Sequence, residues 1–187
     1  MGKEPADPLF EPVLSRVRVF EGKYLHLDRL RVRLPDQSET DREVVVVRDA
    51  VAVLPLEPDG TVHLIRQHRP AIGKTLIEVP AGLLDEKESP VEAAQRECEE
   101  ETGYRPEKLI PLITYAHAEG YSTGFVTLYL GKDLIHTGQI RLDRTEFIEP
   151  VTLSLSELIG LIKAQKIFDS KTILCGLLTE AYLKQTW

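Results

Sequence analysis

The segment from Gly82 to Tyr104 constrains the fold most, because it contains a helix whose two ends are both marked in the sequence. Ser89 is a predicted N-cap, and Glu92 completes a capping box with it. Gly103 predicts the end of the helix. Three glutamates of this helix share one face at spacings i, i+3 and i+4, namely Glu97, Glu100 and Glu101. The segment therefore predicts a helix with a carboxylate face.

This carboxylate face has two explanations. It is an ordinary solvated face, in which Arg96 relieves the repulsion by pairing with Glu100 at i+4, or it is a metal site. Acidic groups in the last turn of a helix oppose the helix dipole, which disfavours the first explanation. Clustered carboxylates are the ligands that Mg²⁺ or Mn²⁺ selects, which favours the second. The charge pattern alone leaves both open.

The order of the remaining elements predicts an α+β fold with a mixed sheet between helices and a small N-terminal antiparallel sheet of three strands. The N-terminal strands are expected at Ser15–Phe20, Leu25–Leu34 and Glu43–Arg48. Ala50–Leu56 and Val62–Gln67 are expected to pair as a hairpin. Later strands are expected at Thr75–Val79, Leu109–Tyr115, Phe125–Leu130 and Ile148–Leu153, and helices at Leu155–Gln165 and Ser170–Gln185. The face of the first helix that packs on the sheet is expected to contain Val91, Ala94 and Cys98.

Composition narrows the class of partner. Thirty acidic residues against 23 basic residues give a net charge of −7, which argues against binding a nucleic-acid backbone by charge. A carboxylate-rich chain still binds phosphates when metal ions bridge the two. No apolar run approaches the roughly 20 residues that span a bilayer, so no membrane association is expected. Cys98 and Cys175 are predicted core residues, and a reducing, cytoplasmic compartment is the default.

The full spacing of the segment decides between the two explanations of its acidic face. Nine constrained positions occur in order, and they are Gly82, Glu88, Arg96, Glu97, Cys98, Glu100, Glu101, Gly103 and Tyr104. This pattern closely resembles the signature of the Nudix hydrolase family, which hydrolyses nucleoside diphosphates linked to another moiety. The resemblance implies an α/β/α sandwich and a Mg²⁺ or Mn²⁺ cofactor.

The resemblance also implies a role for each matching position. Glu97 and Glu101 would be the principal metal ligands, with Glu100 a further ligand and catalytic residue. Arg96 would orient these carboxylates, and the Ala81 carbonyl would offer one more oxygen. Two other positions would shape the loop: Gly82 would permit a tight turn and Glu88 would brace it.

A wider resemblance covers the runs Ala50–Leu56, Ile65–Pro70 and Ile77–Gly82, and the N-terminal sheet. These look like the ADP-ribose and nucleotide-sugar diphosphatase branch of the family. The branch implies a homodimer that exchanges its N-terminal sheets. Residues 1–49 are therefore expected to form an N-terminal arm and dimerising β-subdomain, and residues 50–187 the catalytic domain.

Three residues near the second and third runs are candidate substrate contacts. Arg69 matches an arginine that contacts substrate phosphate in the branch, and guanidinium groups bind phosphate well. Arg66 and Glu78 are weaker candidates, and surface charge on the sheet is the alternative for both arginines. Glu146, in the loop before the last strand, matches the glutamate that often serves as the base, although an exposed loop carboxylate would look the same in sequence.

One position departs from the branch. ADP-ribose-selective members carry a proline in a Ser-Pro-Gly turn, and this chain has Glu119 in its place, followed by Gly120. His117, Tyr121 and Ser122 supply further groups that read sugar hydroxyls or simply form a polar loop. The departure favours a broader nucleoside diphosphate sugar specificity, with Glu119 as a candidate substrate contact.

The sequence therefore predicts metal-dependent hydrolysis of a nucleoside diphosphate sugar, such as ADP-ribose or GDP-mannose, to a nucleoside monophosphate and a sugar phosphate. The alternative is a regulator that binds nucleotide sugars without turnover. An mRNA-decapping relative is disfavoured, because the chain lacks a basic patch.

Overall fold

A computed structural model describes residues 7–142 and 144–186. Strands and helices follow in the order β1 (Val13–Glu21), β2 (His26–Arg33), β3 (Glu39–Val46), β4 (Ala50–Pro55), β5 (Thr61–Arg69), β6 (Lys74–Glu78), β7 (Ala81–Leu83), α1 (Pro90–Thr102), β8 (Tyr104–Ala116), β9 (Phe125–His136), β10 (Ile148–Ser154), α2 (Leu155–Lys163) and α3 (Ser170–Leu183). The chain forms two compact units. The first runs to Arg48 and adds the segment Ala116–Phe125, and the second contains the rest.

The first unit is built on the antiparallel sheet β1-β2-β3, as predicted. Strand β2 alternates, so Asp28, Leu30 and Val32 are buried while the residues between them are exposed. Every residue of β1 is exposed. The segment Ala116–Phe125 joins this unit because Tyr121 accepts a hydrogen bond from the Val45 N–H at 2.7 Å. The loop that carries Glu119 is thus fixed to β3.

The second unit is an α/β/α sandwich around the mixed sheet β7-β4-β9-β8. Strand β4 is parallel to β9 and antiparallel to β7. Ala52 and Leu54 of β4 belong to the core that includes α2 and α3, whereas Val51 and Val53 pack in the core with α1. The alternation of one buried strand therefore places helices on both faces of the sheet, which confirms the predicted fold class.

The predicted hairpin of Ala50–Leu56 and Val62–Gln67 is wrong. Its turn forms, with Leu56 and Val62 in an isolated antiparallel bridge. The two strands then separate, and β5 pairs with β6 and β10 in a second, antiparallel sheet. Residues 51–55 of β4 and 62–65 of β5 are buried, so these parts of the two strands require cover that a two-stranded hairpin alone would not give.

Two further expectations need correction. Val91 is 47% exposed, and the buried face of α1 instead contains Ala93, Ala94 and Cys98. Strand β8 begins directly after Gly103, five residues before the predicted start, because Pro106 and the charged residues around it resemble a loop in sequence. Both corrections leave the carboxylate face of α1 in place.

The described residues contain no helix long and apolar enough to cross a membrane. Cys98 and Cys175 are free and fully buried, as predicted for core residues. Burial raises the pKa of both thiols, which keeps them protonated.

Candidate active site

The helix α1 begins and ends where the sequence predicts. The Ser89 hydroxyl accepts a hydrogen bond from the Glu92 N–H, and the Glu92 side chain accepts one from the Ser89 N–H in return. At the other end Gly103 adopts φ = 76°, and its N–H donates to the Glu99 carbonyl. These caps fix the last turn of the helix, which carries the candidate metal ligands.

Arg96 lies at the centre of the carboxylate face. Its Nε and Nη2 donate to the two oxygens of Glu88, each at 2.8 Å. Its Nη1 donates to Glu97 at 2.6 Å and to Glu100 at 3.1 Å. The bond from Arg96 lowers the pKa of Glu88, which keeps this carboxylate charged. Arg96 therefore joins the loop before the helix to two of the three glutamates.

Glu101 is the most buried of the three glutamates, with 4% of its surface exposed. One of its oxygens accepts a hydrogen bond from the Ala81 N–H at 2.9 Å. Burial raises the pKa of Glu101 to about 8, and the charges of Glu97 and Glu146 add to this effect. A carboxylate in this environment favours either a proton or a nearby cation.

Glu97 has the same character. Burial raises its pKa, Arg96 opposes the rise, and the charges of Glu100 and Glu146 reinforce it. Glu146 is half-buried in the loop before β10. Since its charge acts on both Glu97 and Glu101, the structure brings this predicted base to the carboxylate cluster.

Gly82 allows the loop to approach the helix closely. A Cβ atom built on Gly82 would overlap the carboxylate of Glu97. Gly82 lies in β7 and is not among the residues with positive φ, so the expectation of a tight turn at this position is wrong. What requires glycine here is space beside Glu97.

The donor set fits a divalent cation. Its atoms are hard carboxylate oxygens on one helix face. Burial raises the pKa of the buried Glu101 and of the half-buried Glu97, and a bound cation would reverse this effect. Among residues 7–142 and 144–186, no group of three His, Cys, Asp or Glu side chains is arranged as a formed metal centre. In this arrangement Arg96 and the Ala81 N–H occupy one oxygen each of Glu97, Glu100 and Glu101.

Arg69 faces the same site. Its Nε and Nη2 donate to the two oxygens of Glu78, each at 2.7 Å. The charge of Glu101 contributes to the raised pKa of Arg69, after the bond to Glu78, so the guanidinium lies within electrostatic range of the cluster. About 40% of the Arg69 side chain is exposed, which leaves it accessible to a ligand. Glu78 itself is fully buried.

Arg66 differs from Arg69. Successive side chains of a strand point to opposite faces, so Arg66 lies on the other face of β5. It forms an exposed ion pair with Glu149 across the ladder to β10, at 2.8 Å. This is the arrangement expected of surface charge, and its contact with substrate stays a prediction.

Glu119 belongs to the first unit and lies exposed at the tip of a turn, in which the Tyr121 N–H donates to the Ala118 carbonyl. Two of its polar neighbours serve the loop itself. His117 Nδ1 lies 3.1 Å from the Gly124 carbonyl, and the Ser122 hydroxyl accepts from the Gly124 N–H. The role of Glu119 stays a prediction.

Sequence reasoning missed a group that contacts Glu78. Lys171 lies 3.3 Å from Glu78 and 2.5 Å from Asp169, the N-cap of α3. Thr172 completes this N-cap through its N–H. An aspartate three residues before a threonine at the start of a helical segment is a readable capping signal. The contact with Glu78 is not readable, because 93 residues separate the partners.

A model of the NUDIX domain matches residues 46–174, a range that contains every candidate site residue described above, including Glu119. The chain belongs to the Nudix hydrolase family. It is 33% identical to an ADP-ribose pyrophosphatase of Bacillus subtilis (strain 168) over 165 residues, which cover 88% of this chain and 89% of the relative. It is 34% identical over 165 residues to a protein of Bacillus methanolicus named methanol dehydrogenase activator, with the same coverage.

The fold of this Nudix hydrolase also matches a solved structure. A crystal structure of an ADP compounds hydrolase superposes with a TM-score of 0.84 at 21% identity, and the match covers 94% of this chain and 95% of the other. Nudix hydrolases generally use a divalent cation, which agrees with the donor set described above. The segment Gly82–Tyr104 is accordingly the Nudix motif of this enzyme.

Proposed function

We propose that this Nudix hydrolase cleaves the diphosphate bond of a nucleoside diphosphate sugar, such as ADP-ribose or GDP-mannose. The products are a nucleoside monophosphate and a sugar phosphate. The observation that carries the proposal is that the charges of Arg69 and Glu146 both act on the motif carboxylates. The similarity to an ADP-ribose pyrophosphatase over most of both chains supports the substrate class.

In the reaction, the oxygen of a water molecule bonds to one phosphorus, and the bond from that phosphorus to the bridging oxygen breaks. Glu146 accepts a proton of the water, and Arg69 binds a phosphate oxygen of the substrate. Arg96 holds Glu97 and Glu100 in place through its bonds to both. Divalent cations held by Glu97, Glu100, Glu101 and the Ala81 carbonyl would neutralise the charge of the diphosphate.

We propose Mg²⁺ or Mn²⁺ as this cation, because both prefer carboxylate oxygens and commonly bridge them to phosphates. A panel of nucleotide sugars tests the proposal when product release is measured with Mg²⁺, with Mn²⁺ and with EDTA. We expect release of a nucleoside monophosphate and a sugar phosphate with either cation. Turnover that EDTA leaves unchanged would reject the metal-dependent mechanism.

A regulator that binds nucleotide sugars without turnover is the second candidate, because one relative is named an activator of methanol dehydrogenase. The complete carboxylate set favours hydrolysis over this alternative, since binding alone does not require three metal ligands. Calorimetry separates the two. Tight binding of ADP-ribose with Mg²⁺, and no product after prolonged incubation, would favour the regulator.

We also propose that the enzyme is a homodimer in which the N-terminal sheets are exchanged and that it works in a reducing, cytoplasmic compartment. The exposed apolar side chains of β1 support the dimer, because a sheet of three strands is marginal alone and gains stability from a second packed surface. The two free cysteines are consistent with the compartment.

A further inference from the structure

Four charged side chains form a connected network beside the active site, and we name it the Glu78 network: Arg69, Glu78, Asp169 and Lys171. Glu78 is buried with 1% of its surface exposed, and both of its oxygens are bonded. Arg69 binds both oxygens and Lys171 binds one of them. Lys171 also binds Asp169 at 2.5 Å, so this lysine connects the two carboxylates.

The backbone fixes the geometry of the Glu78 network. The Thr172 hydroxyl accepts a hydrogen bond from the Val79 N–H at 2.8 Å and donates to Asp169 at 2.6 Å. This joins the end of β6 to the start of α3. Lys171 is therefore held beside Glu78 by neighbours on both sides in the sequence, and its side chain is only 20% exposed.

The charges of the network balance, with two carboxylates against one arginine and one lysine. Without Lys171, Arg69 would be the one cation of the network beside two largely buried carboxylates, and the charge of Asp169 already acts on Arg69. Without Lys171 the carboxylate of Asp169 would lack a cationic partner, which is strongly unfavourable for a buried charge. It would therefore draw the Arg69 guanidinium inward. Arg69 would then be less available to an anionic ligand.

One edge of the Arg69 guanidinium remains available. Nε and Nη2 are used by Glu78, and Nη1 has no hydrogen bond within the described part of the chain. The bidentate pair fixes the plane of the guanidinium, so Nη1 has a defined direction. A group that holds Glu78 in place therefore also orients the free edge of Arg69.

We propose that Lys171 is a positioning residue for substrate binding, which acts through Glu78 and keeps the charge and the free edge of Arg69 available to the substrate diphosphate. The inference rests on the proposed function of the site. Lys171 itself does not contact the substrate. It determines how strongly Arg69 binds the substrate diphosphate.

A double-mutant cycle between Lys171 and Arg69 tests this role through KM and kcat. In Lys171→Met we expect KM for the nucleotide sugar to rise about tenfold with kcat within about threefold, since binding rather than chemistry is weakened. In an Arg69→Ala background, the same substitution is expected to change KM less than about twofold, because both changes remove one interaction. Lys171→Arg should restore much of the affinity.

The control is Lys184→Met, which removes an exposed lysine that pairs with Glu180 on the same helix at 2.6 Å, and we expect KM to be unchanged. Additive effects of Lys171→Met and Arg69→Ala on KM would overturn the proposal, as would an unchanged KM in Lys171→Met. The cycle is repeated calorimetrically with Mg²⁺ and inorganic diphosphate. If no nucleotide sugar is hydrolysed, the proposed function fails. The diphosphate titrations still test Lys171, because additive effects on affinity would overturn its role and non-additive effects would support it.

Discussion

At the scale of single residues, Gly82 is the position where the motif tolerates least change. A Cβ atom there would overlap the Glu97 carboxylate, so Gly82→Ala must displace a candidate metal ligand. We expect kcat/KM to fall by about two orders of magnitude, as misplaced catalytic groups commonly cause. The matched control is Gly160→Ala in α2, where no atom lies within 4 Å of the added Cβ. Equal activity of the two variants would contradict the account.

Glu101 gives a second prediction, about stability in EDTA-treated protein. Burial raises its pKa from 4.5 to about 8, so its contribution to stability is present below pH 4.5 and is lost as the pH rises through 8. The free energy of unfolding of the wild type should therefore fall relative to Glu101→Gln between about pH 5 and 9, by about 1.4 kcal/mol for each unit of pKa shift. Urea titrations at several pH values measure this difference. A difference that does not vary with pH would contradict it.

Residues of the motif could be predicted because their spacing is local. Glu97, Glu100 and Glu101 share a face by helix geometry, and the pairing of Arg96 with Glu100 follows from i, i+4 spacing. Lys171 could not be predicted in the same way. Its partner Glu78 is distant in sequence, and only the packing of α3 against the end of β6 brings them together.

At the scale of elements, the cap of α1 is tied to the site. Glu88, which binds Arg96, directly precedes the N-cap Ser89. Ser89→Ala should lower the free energy of unfolding by about 1 kcal/mol, the usual effect of losing an N-cap. It should also raise the Mg²⁺ concentration needed for half-maximal activity, since the loss of the N-cap makes the position of the preceding Glu88 less fixed.

Ser154→Ala is the control for this prediction, because Ser154 forms the same capping box at the start of α2. We expect a similar loss of stability with no change in the Mg²⁺ requirement. Thermal unfolding and metal titrations of the two variants give both quantities. A rise in the Mg²⁺ requirement in both variants would show that helix stability in general, rather than the position of Glu88, controls metal binding.

Elements were predictable where local signals mark their ends. The capping box of α1 is confirmed at Ser89, and α2 begins at Leu155 as predicted, after a capping box at Ser154. The separation of β4 and β5 into two sheets was not predictable, because a turn joins these strands whether or not they form a ladder. Sheet membership depends on partners such as β9 and β10, which lie far along the chain.

At the scale of the whole molecule, β1 bears on the assembly. Val17 and Phe20 are 51% and 55% exposed, which is unusual for two large apolar side chains on one strand. If two copies meet through this sheet, Val17→Asp should weaken the dimer by placing a charge in its interface. Leu183→Asp, on a similarly exposed residue of α3, is the control. Sedimentation velocity should find more monomer in the first variant alone, and identical profiles would contradict the dimer.

The division of the chain was only partly visible in the sequence. The resemblance to the branch led us to expect a division after residue 49, whereas nothing in the sequence indicated that Ala116–Phe125 would belong to the first unit. That segment belongs to the first unit through backbone bonds of Tyr121 and Thr123 with Val45. Such bonds are independent of side-chain pattern.

The central claim is that the clustered carboxylates of α1 hold the cation that hydrolysis requires. The most direct test compares Glu101→Gln with Glu99→Gln, since Glu99 lies on the same helix but pairs with Arg105 at 3.1 Å. In the presence of Mg²⁺, the first variant should release nucleoside monophosphate at least about 100-fold more slowly than the wild type, and the second within about threefold of it. Full activity of Glu101→Gln would contradict the account.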